Sequence, residues 1–581
     1  MELDAGCSAI KRSRTSGRQG ETMKNSKLVY EIRDVRDFRE LFFGSAERVP
    51  ENTAFLRRVG KEAEEITYRR AAEDISALAS FFSAEKLDGA KIAVIGKNCY
   101  EWAITYLAVT CGIGVIVPFD RELKEGEISF LAEESEISAI VADDAQLPKL
   151  AGLTIPIYPF SRFAEYLERG ESLRREGDRT LENHRIDPYT LSVLIYTSGT
   201  TGVAKGVMLS QYNICSNITG VLRRTYLGEE DRCLSVLPLH HTYEACAGFL
   251  AFLYAGASIA YCTSLKHLMQ EFVLFRPTVF VTVPLILETF LSSVEKKYAN
   301  RKGGKLLLSV QRAASSLTAK DEGKKKIFAE VNAAFGGRLR AFLCGAAALP
   351  PAVARGLESF GFPCYVGYGL TETSPVCIMH NDFYRSLDSV GYPISGVSVR
   401  LIEQNEDGTG ELAVKGPNVM LGYYKKPEET AAVLQDGWFR TGDMAHRNRD
   451  GSYSIVGRTK SMIVTQNGKK IFPEEIEYHL TQDPLVSDAL VWGEEENGDI
   501  TVVASVYPDY PALEERLAKE GILPETPEYD NAIAEWSKKL MKDVNAKLPY
   551  FKALKRIKIR REEFLKTGTR KIKRFAPENR E

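Results

Sequence analysis

Through most of this chain, short β-rich apolar runs alternate with helix-patterned segments. The runs are Lys91-Ile-Ala-Val-Ile-Gly96, Gly114-Val-Ile-Val-Pro118, Ile137-Ser-Ala-Ile-Val141, Pro277-Thr-Val-Phe-Val-Thr-Val283 and Leu339-Arg-Ala-Phe-Leu343. A strand that is apolar on both faces needs cover on both, and the intervening helices supply it, so the pattern predicts parallel sheets covered by helices. From Ser389 the texture changes to glycine-punctuated strands, as in Val397-Ser-Val-Arg-Leu-Ile402 and Gly410-Glu-Leu-Ala-Val414. That predicts a small β-rich subdomain. A further mixed segment, Ile476 to Glu581, follows Gly457-Arg-Thr-Lys-Ser461 and is long enough to be a domain. At 581 residues the chain also exceeds what one hydrophobic core supports. The expected fold is therefore α/β: a large N-terminal domain of helix-covered parallel sheets plus a small β-rich subdomain, followed by a small α+β C-terminal domain.

Lys+Arg 76 against Asp+Glu 78 gives a net charge of −2, which argues against nucleic acid as a global partner. Local charge differs: Lys552 to Arg574 holds eleven basic and two acidic residues, an excess a polyanion could use or that solvent could simply cover. The ten cysteines show no CxxC pair and read as reduced, mostly buried thiols of a cytoplasmic protein. Two apolar stretches, Trp102 to Pro118 and Ala245 to Cys262, approach membrane-span length. Each breaks at glycine (Cys111-Gly-Ile-Gly114, Ala255-Gly-Ala257), so helix, turn, buried strand is the expectation, with at most peripheral membrane contact. Residues 1–26 lack an apolar h-region and are expected to be a disordered leader, with Met23 an alternative start.

The segment Tyr196-Thr-Ser-Gly-Thr-Thr-Gly-Val-Ala-Lys-Gly-Val207 puts hydroxyls, glycines and a lysine directly after the apolar run Leu191 to Tyr196. Glycines admit close approach of an anion to backbone, successive N–H groups form a donor nest, Thr197, Ser198, Thr200 and Thr201 add hydroxyl donors, and Lys205 adds positive charge. With Gly199 and Gly202 it reads as a phosphate cradle; a polar strand-to-helix turn is the plainer alternative. A Walker loop is excluded, because Gly202 is followed by Val-Ala-Lys and Lys205 by glycine.

Residue for residue this segment resembles the phosphate loop of the adenylate-forming superfamily, and four further clusters match in order. Leu237-Pro-Leu-His-His-Thr-Tyr-Glu244 resembles the segment beside the acyl pocket, with His241 at its aromatic or histidine position. Its tail, Tyr243-Glu244, is most similar to long-chain fatty acyl-CoA synthetases. Cys344-Gly-Ala-Ala-Ala-Leu-Pro350 and Gly367-Tyr-Gly-Leu-Thr-Glu-Thr-Ser-Pro375 resemble the adenine and magnesium sites. There Gly345, Ala346 and Gly369 let a purine lie on backbone, Tyr368 offers a stacking face, Thr371 reaches the α-phosphate and Glu372 is the metal ligand. In Asp436-Gly-Trp-Phe-Arg-Thr-Gly-Asp443 and Gly457-Arg458, the resemblance gives Asp443 and Arg458 the ribose. In Leu565-Lys-Thr-Gly-Thr-Arg-Lys-Ile-Lys-Arg574 it gives Lys571 the role of active-site lysine, although Leu565 and Arg570 replace the family's proline and glycine, and Lys566 and Lys573 lie nearby.

The resemblance implies an N-terminal adenylation domain at 27–459 and a mobile C-terminal domain at 460–581, turning about Lys460. Gln466-Asn-Gly-Lys-Lys470, including Gly468 and Lys469, would then swing toward a CoA tunnel. The implied reaction joins a fatty acid to ATP, with Mg2+, to give acyl-AMP, and then passes the acyl group to CoA. An acyl carrier protein is the alternative acceptor, and a silent nucleotide-binding protein the alternative class.

Overall fold

A computed structural model describes residues 30–197, 204–465, 469–496, 499–524, 526–566 and 572–580, and the backbone alone at Ile10–Arg12, Glu496 and Asp499. The apolar runs form the centres of two sheets. In a seven-stranded sheet, Leu191–Thr197, Val115–Phe119, Lys91–Ile95, Ala139–Ala142 and Ile157–Pro159 lie side by side and parallel. In a nine-stranded sheet the parallel block comprises Cys364–Gly369, Ala341–Cys344, Val279–Thr282, Arg232–Ser235, Ser258–Tyr261 and Thr53–Val59.

The edges depart from the all-parallel expectation. Lys205–Ser210 and Gly422–Tyr423 close one sheet antiparallel, and Val376–Met379 with Tyr392–Pro393 close the other. Lys205–Ser210 and Val376–Met379 each follow their partner after a connection too short for the crossover that parallel pairing needs, so these two strands must turn back.

Both long apolar stretches resolve into helix and strand. Tyr100–Gly112 is buried almost throughout and hands over to Val115–Phe119 across Gly114, where a Cβ would lie 2.4 Å from the Ala90 carbonyl oxygen. The second runs from a π-helical turn, Glu244–Leu250, through Ala251–Ala255 and left-handed Gly256 to Ser258–Tyr261. Among the described residues no helix is long and apolar enough to cross a membrane.

The β-rich subdomain is antiparallel: Ser398–Ile402, Gly410–Lys415 and Trp438–Arg447, with Tyr453–Arg458 on the last strand. The smaller C-terminal α+β domain has its own core, in which Ile471, Ile476, Leu480, Val506, Leu513 and Leu540 bring helices Pro473–Leu480 and Pro527–Asn545 onto the sheet Val486–Glu496, Asp499–Pro508 and Arg556–Ile559. The expected leader contains a strand. Ile10–Arg12 pairs antiparallel with Tyr30–Ile32, whose backbone offers it a ladder of partners.

Candidate active site

The glycine-rich segment links strand to strand, which overturns the strand-to-helix alternative. Thr197 stands opposite Lys205 in the antiparallel ladder. Ser198, Gly199, Thr200, Thr201 and Gly202 lie outside the described residues. The helix begins only after Ser210, whose hydroxyl accepts from Asn213 N while the Asn213 side chain accepts from Ser210 N, a reciprocal cap on Gln211–Leu222.

Lys205 is half-buried, pairs with the Glu429 carboxylate and lies 5.0 Å from the centre of the Tyr423 ring. The Tyr423 hydroxyl in turn donates to Glu372 Oε1 at 2.9 Å. The loop lysine and the candidate metal ligand thus sit against one buried ring. Lys205 and Lys426 together hold the Glu429 carboxyl below its ordinary range. Sequence reasoning missed Tyr423 and Glu429, because only the Lys205–Ser210 to Gly422–Tyr423 pairing brings them here. Glu429→Gln is expected to lower the KM for ATP roughly two- to fivefold at low ionic strength, converging on wild type in high salt, because phosphate no longer competes with a surface carboxylate. Steady-state titration with ATP checks it; a raised KM would mean that Glu429 aims the lysine.

Thr371 and Glu372 occupy a single 3-10 turn, Thr371–Thr373. Two buried asparagines pin it: Asn418 donates to the Thr373 carbonyl at 2.9 Å, and Asn217 donates to the carbonyls of Thr373 and Val376 at 3.2 and 2.6 Å. Gly369 is required beside it, since a Cβ there would stand 1.8 Å from the Pro375 carbonyl oxygen. Among the described residues no three acidic, histidine or cysteine side chains cluster as a metal cage. A single carboxylate such as Glu372 suits the coordination habit of magnesium, which takes one or two protein carboxylates together with substrate phosphates.

Asp443 is buried and joins the two halves of the predicted nucleoside site. Its Oδ2 accepts from the Tyr368 hydroxyl at 2.6 Å, and its Oδ1 stands 3.0 Å from Arg458 Nε across the ladder that sets Asp443 opposite Arg458. Burial, and then the Asp443 charge, push the Tyr368 phenol well above its ordinary value. A carboxylate held this way keeps acceptor capacity for vicinal hydroxyls.

Gly345 faces the Tyr243 ring on the side where a Cβ would stand. A Cβ there would lie 2.8 Å from the Tyr243 ring, whose hydroxyl donates to the Leu343 carbonyl at 2.9 Å. Ala346 follows, exposed and at φ +67°, a left-handed backbone that is costly for alanine.

His241 is half-buried with its ring 4.1 Å from that of His240, which burial drives well below the ordinary histidine range. Three residues on, Glu244 is fully buried. Its Oε1 accepts from Ser235 Oγ at 2.6 Å, its Oε2 has no hydrogen-bond partner, and desolvation lifts its carboxyl to about 8. With the folded value above the unfolded one, the folded state keeps its proton while the unfolded state loses it, so stability falls as pH rises from about 4.5 to about 8. Glu244→Gln keeps the acceptor for Ser235 without the charge. It should melt higher than wild type at pH 8, by on the order of a few kcal/mol, with the gap closing near pH 5. Thermal unfolding at both pH values measures it, and a gap independent of pH would contradict it.

In the C-terminal domain, Lys460 is exposed on the turn after Arg458 and borders a crevice of ≈ 250 Å³ with Met462, Trp492 and Arg574. Lys469 is exposed, its ammonium 4.6 Å from the centre of the Phe551 ring; Gly468 and Lys571 lie outside the described residues. The described residues that flank 567–571 are tied to the domain. Lys566 bridges to Ile572 and pairs with Asp488 at 2.8 Å, Lys573 N donates to the Leu565 carbonyl at 2.8 Å, and Arg574 pairs with Glu477 at 2.6 Å. Part of the basic excess counted in this region is paired within the domain. Lys552 meets Glu475, Arg556 and Lys558 share Glu494, and Arg561 meets Asp530.

Comparison with known proteins gives these arrangements a family. The pattern described as AMP-binding enzyme matches residues 42–424. The chain is 30% identical over 476 residues to long-chain-fatty-acid–CoA ligase FadD15 of Mycobacterium bovis, covering 77% of this chain and 78% of that one. It is 28% identical over 567 residues to long-chain-fatty-acid–CoA ligase 1 of Cavia porcellus, covering 89% and 80%. In fold it resembles the anthranilate CoA ligase AuaEII in complex with anthranoyl-AMP, with TM-score 0.73, 19% identity and coverage of 93% and 96%. ATP-bound MatB from Rhodopseudomonas palustris superposes with TM-score 0.71 at 22% identity, covering 92% and 96%. The chain belongs to the AMP-binding enzyme family, the adenylate-forming ligases.

Proposed function

We propose that this enzyme activates a medium- to long-chain fatty acid with ATP and transfers the acyl group to CoA. One observation carries the reading: Lys205 and Glu372 on one ring, and Tyr368, Asp443 and Arg458 in one hydrogen-bonded group, flank the same turn, Gly367 to Pro375. The names of the relatives described above favour a long acyl chain, as does His241-Thr-Tyr-Glu244.

In this reading the substrate carboxylate attacks the α-phosphorus, pyrophosphate leaves, and the CoA thiolate then displaces AMP from the acyl carbonyl. Asp443 and Arg458 hold the ribose, Tyr368 and the backbone at Gly345 and Ala346 the adenine, and Thr371 the α-phosphate. The loop Thr197 to Lys205 holds the β- and γ-phosphates, and His241 borders the acyl group. Magnesium held by Glu372 would offset phosphate charge. Catalysis of the first step is then positioning and charge neutralisation, with no protein nucleophile. Lys571 supplies the cation nearest the transferred bond; Lys566, held at Asp488, is already engaged elsewhere.

The body from Lys460 onward is proposed to turn between the two half-reactions, carrying Lys571 away and Gly468 and Lys469 toward CoA. Lys460→Pro should therefore slow thioester formation at least about tenfold more than adenylation, because proline fixes φ near −65° and blocks rotation there. Equal loss of both half-reactions with an unchanged circular dichroism spectrum would refute it.

Acids from acetate to stearate, offered with CoA or with a phosphopantetheinylated carrier protein, test the assignment. Turnover should rise with chain length and require CoA. Preference for acetate or an aromatic acid would overturn the substrate, preference for the carrier protein would overturn the acceptor, and no turnover would leave a nucleotide-binding protein.

A further inference from the structure

The helix Gly304–Ser316 is turned inside out relative to an ordinary surface helix. Its inward face buries Gly304, Leu308 and Ser315, whereas Leu306 is 71% exposed, Val310 57% and Leu317, at its C-cap, 89%. Positions 306, 310 and 317 recur at helical spacing, with exposed Ala313 and Ala314 between Val310 and Leu317 and exposed Leu307 alongside, so they form one apolar stripe about 17 Å long. Single exposed apolar side chains need no explanation, but a continuous stripe of leucine and valine facing water does.

Charge says what covers it. The whole chain has a net charge of −2, yet residues 296–326 hold ten basic and two acidic residues, a local excess of +8. Part of that charge is used internally: Lys297 and Arg301 meet Glu330, Arg312 meets Glu295, and Lys324 meets Asp321. Lys302, Lys305 and Lys320 stay exposed at the two ends of the stripe. Apolar side chains in the middle with lysines around them are the pattern of a helix lying in a bilayer interface, where the stems lie along the apolar layer and the ammonium groups reach headgroup phosphates. A second copy of the chain fits less well, because a two-fold contact would bring these basic rims together.

We propose that helix Gly304–Ser316 docks on an anionic lipid surface, with Leu306, Val310 and Leu317 entering the acyl layer and Lys302, Lys305 and Lys320 on the phosphates. This docking does not depend on the fatty-acid assignment, since it concerns the bilayer as a surface and can be measured without turnover.

Flotation of the full-length protein with vesicles tests it. The protein should float with phosphatidylcholine mixed with phosphatidylglycerol, much less with phosphatidylcholine alone, and be released by salt. Two variants with unchanged circular dichroism spectra probe the two halves of the surface. Leu306→Glu/Val310→Glu/Leu317→Glu and Lys302→Glu/Lys305→Glu/Lys320→Glu should each lower the bound fraction about tenfold or more. Undiminished binding by both variants would overturn the proposal. So would a wild-type protein that ignores anionic vesicles, or one that sediments as a dimer split by Leu306→Glu, which would make the stripe a protein interface.

Discussion

Lys571→Ala is expected to lose fatty-acid adenylation by about a hundred- to thousandfold, the effect of removing one electrostatic contact worth about 3 to 4 kcal/mol in the transition state. The same variant should still convert synthetic acyl-AMP and CoA to thioester, because the proposed turn at Lys460 withdraws the lysine before that step. Lys573→Ala serves as the control, since the backbone of Lys573 is tied to Leu565 and its neighbour Arg574 is clamped by Glu477. Hydroxamate trapping for the first step and thiol consumption for the second separate the outcomes. Equal loss in both steps, or greater sensitivity at Lys566 or Lys573, would show that Leu565 and Arg570 shift the register of the motif.

Asp443→Ala should cost about 3 to 5 kcal/mol in kcat/KM for ATP, because the two charge-assisted hydrogen bonds proposed to the ribose would vanish together. The Tyr368 hydroxyl and the Arg458 guanidinium also lose their common partner. Asp443→Asn keeps one acceptor and should fall between. Tyr368→Phe, which retains the ring and removes only the donor, should lose no more than about tenfold. Kinetics in ATP at saturating acid measure all three, and an Asp443→Ala enzyme within threefold of wild type would remove the ribose from this site.

The parallel strands were legible because runs such as Ile92 to Ile95 and Ile140 to Ala142 are apolar on both faces, which only a covered sheet permits. The antiparallel edges were not, because nothing in Val207 to Leu209 tells whether the chain crosses over or turns back after a glycine-rich loop. Asp443 and Arg458 were legible as motif residues, but their pairing is a cross-strand register, and that register depends on a shift between Met444 and Ala445. Tyr423 and Glu429 could not be found from sequence, since their partners Glu372 and Lys205 are distant in the chain and meet only through packing. For the basic C-terminal stretch the same limit holds: a charge count cannot see that Glu475, Glu494 and Asp530 fold back against Lys552, Arg556 and Arg561.

The central claim is that a carboxylate of the substrate bonds to the α-phosphorus, so the oxygen of that bond is the most direct witness. Turnover of the preferred fatty acid, carrying 18O in both carboxylate positions, with ATP and CoA should yield AMP containing one 18O atom on its phosphate by mass spectrometry. Unlabelled AMP, or ADP in place of AMP, would contradict it.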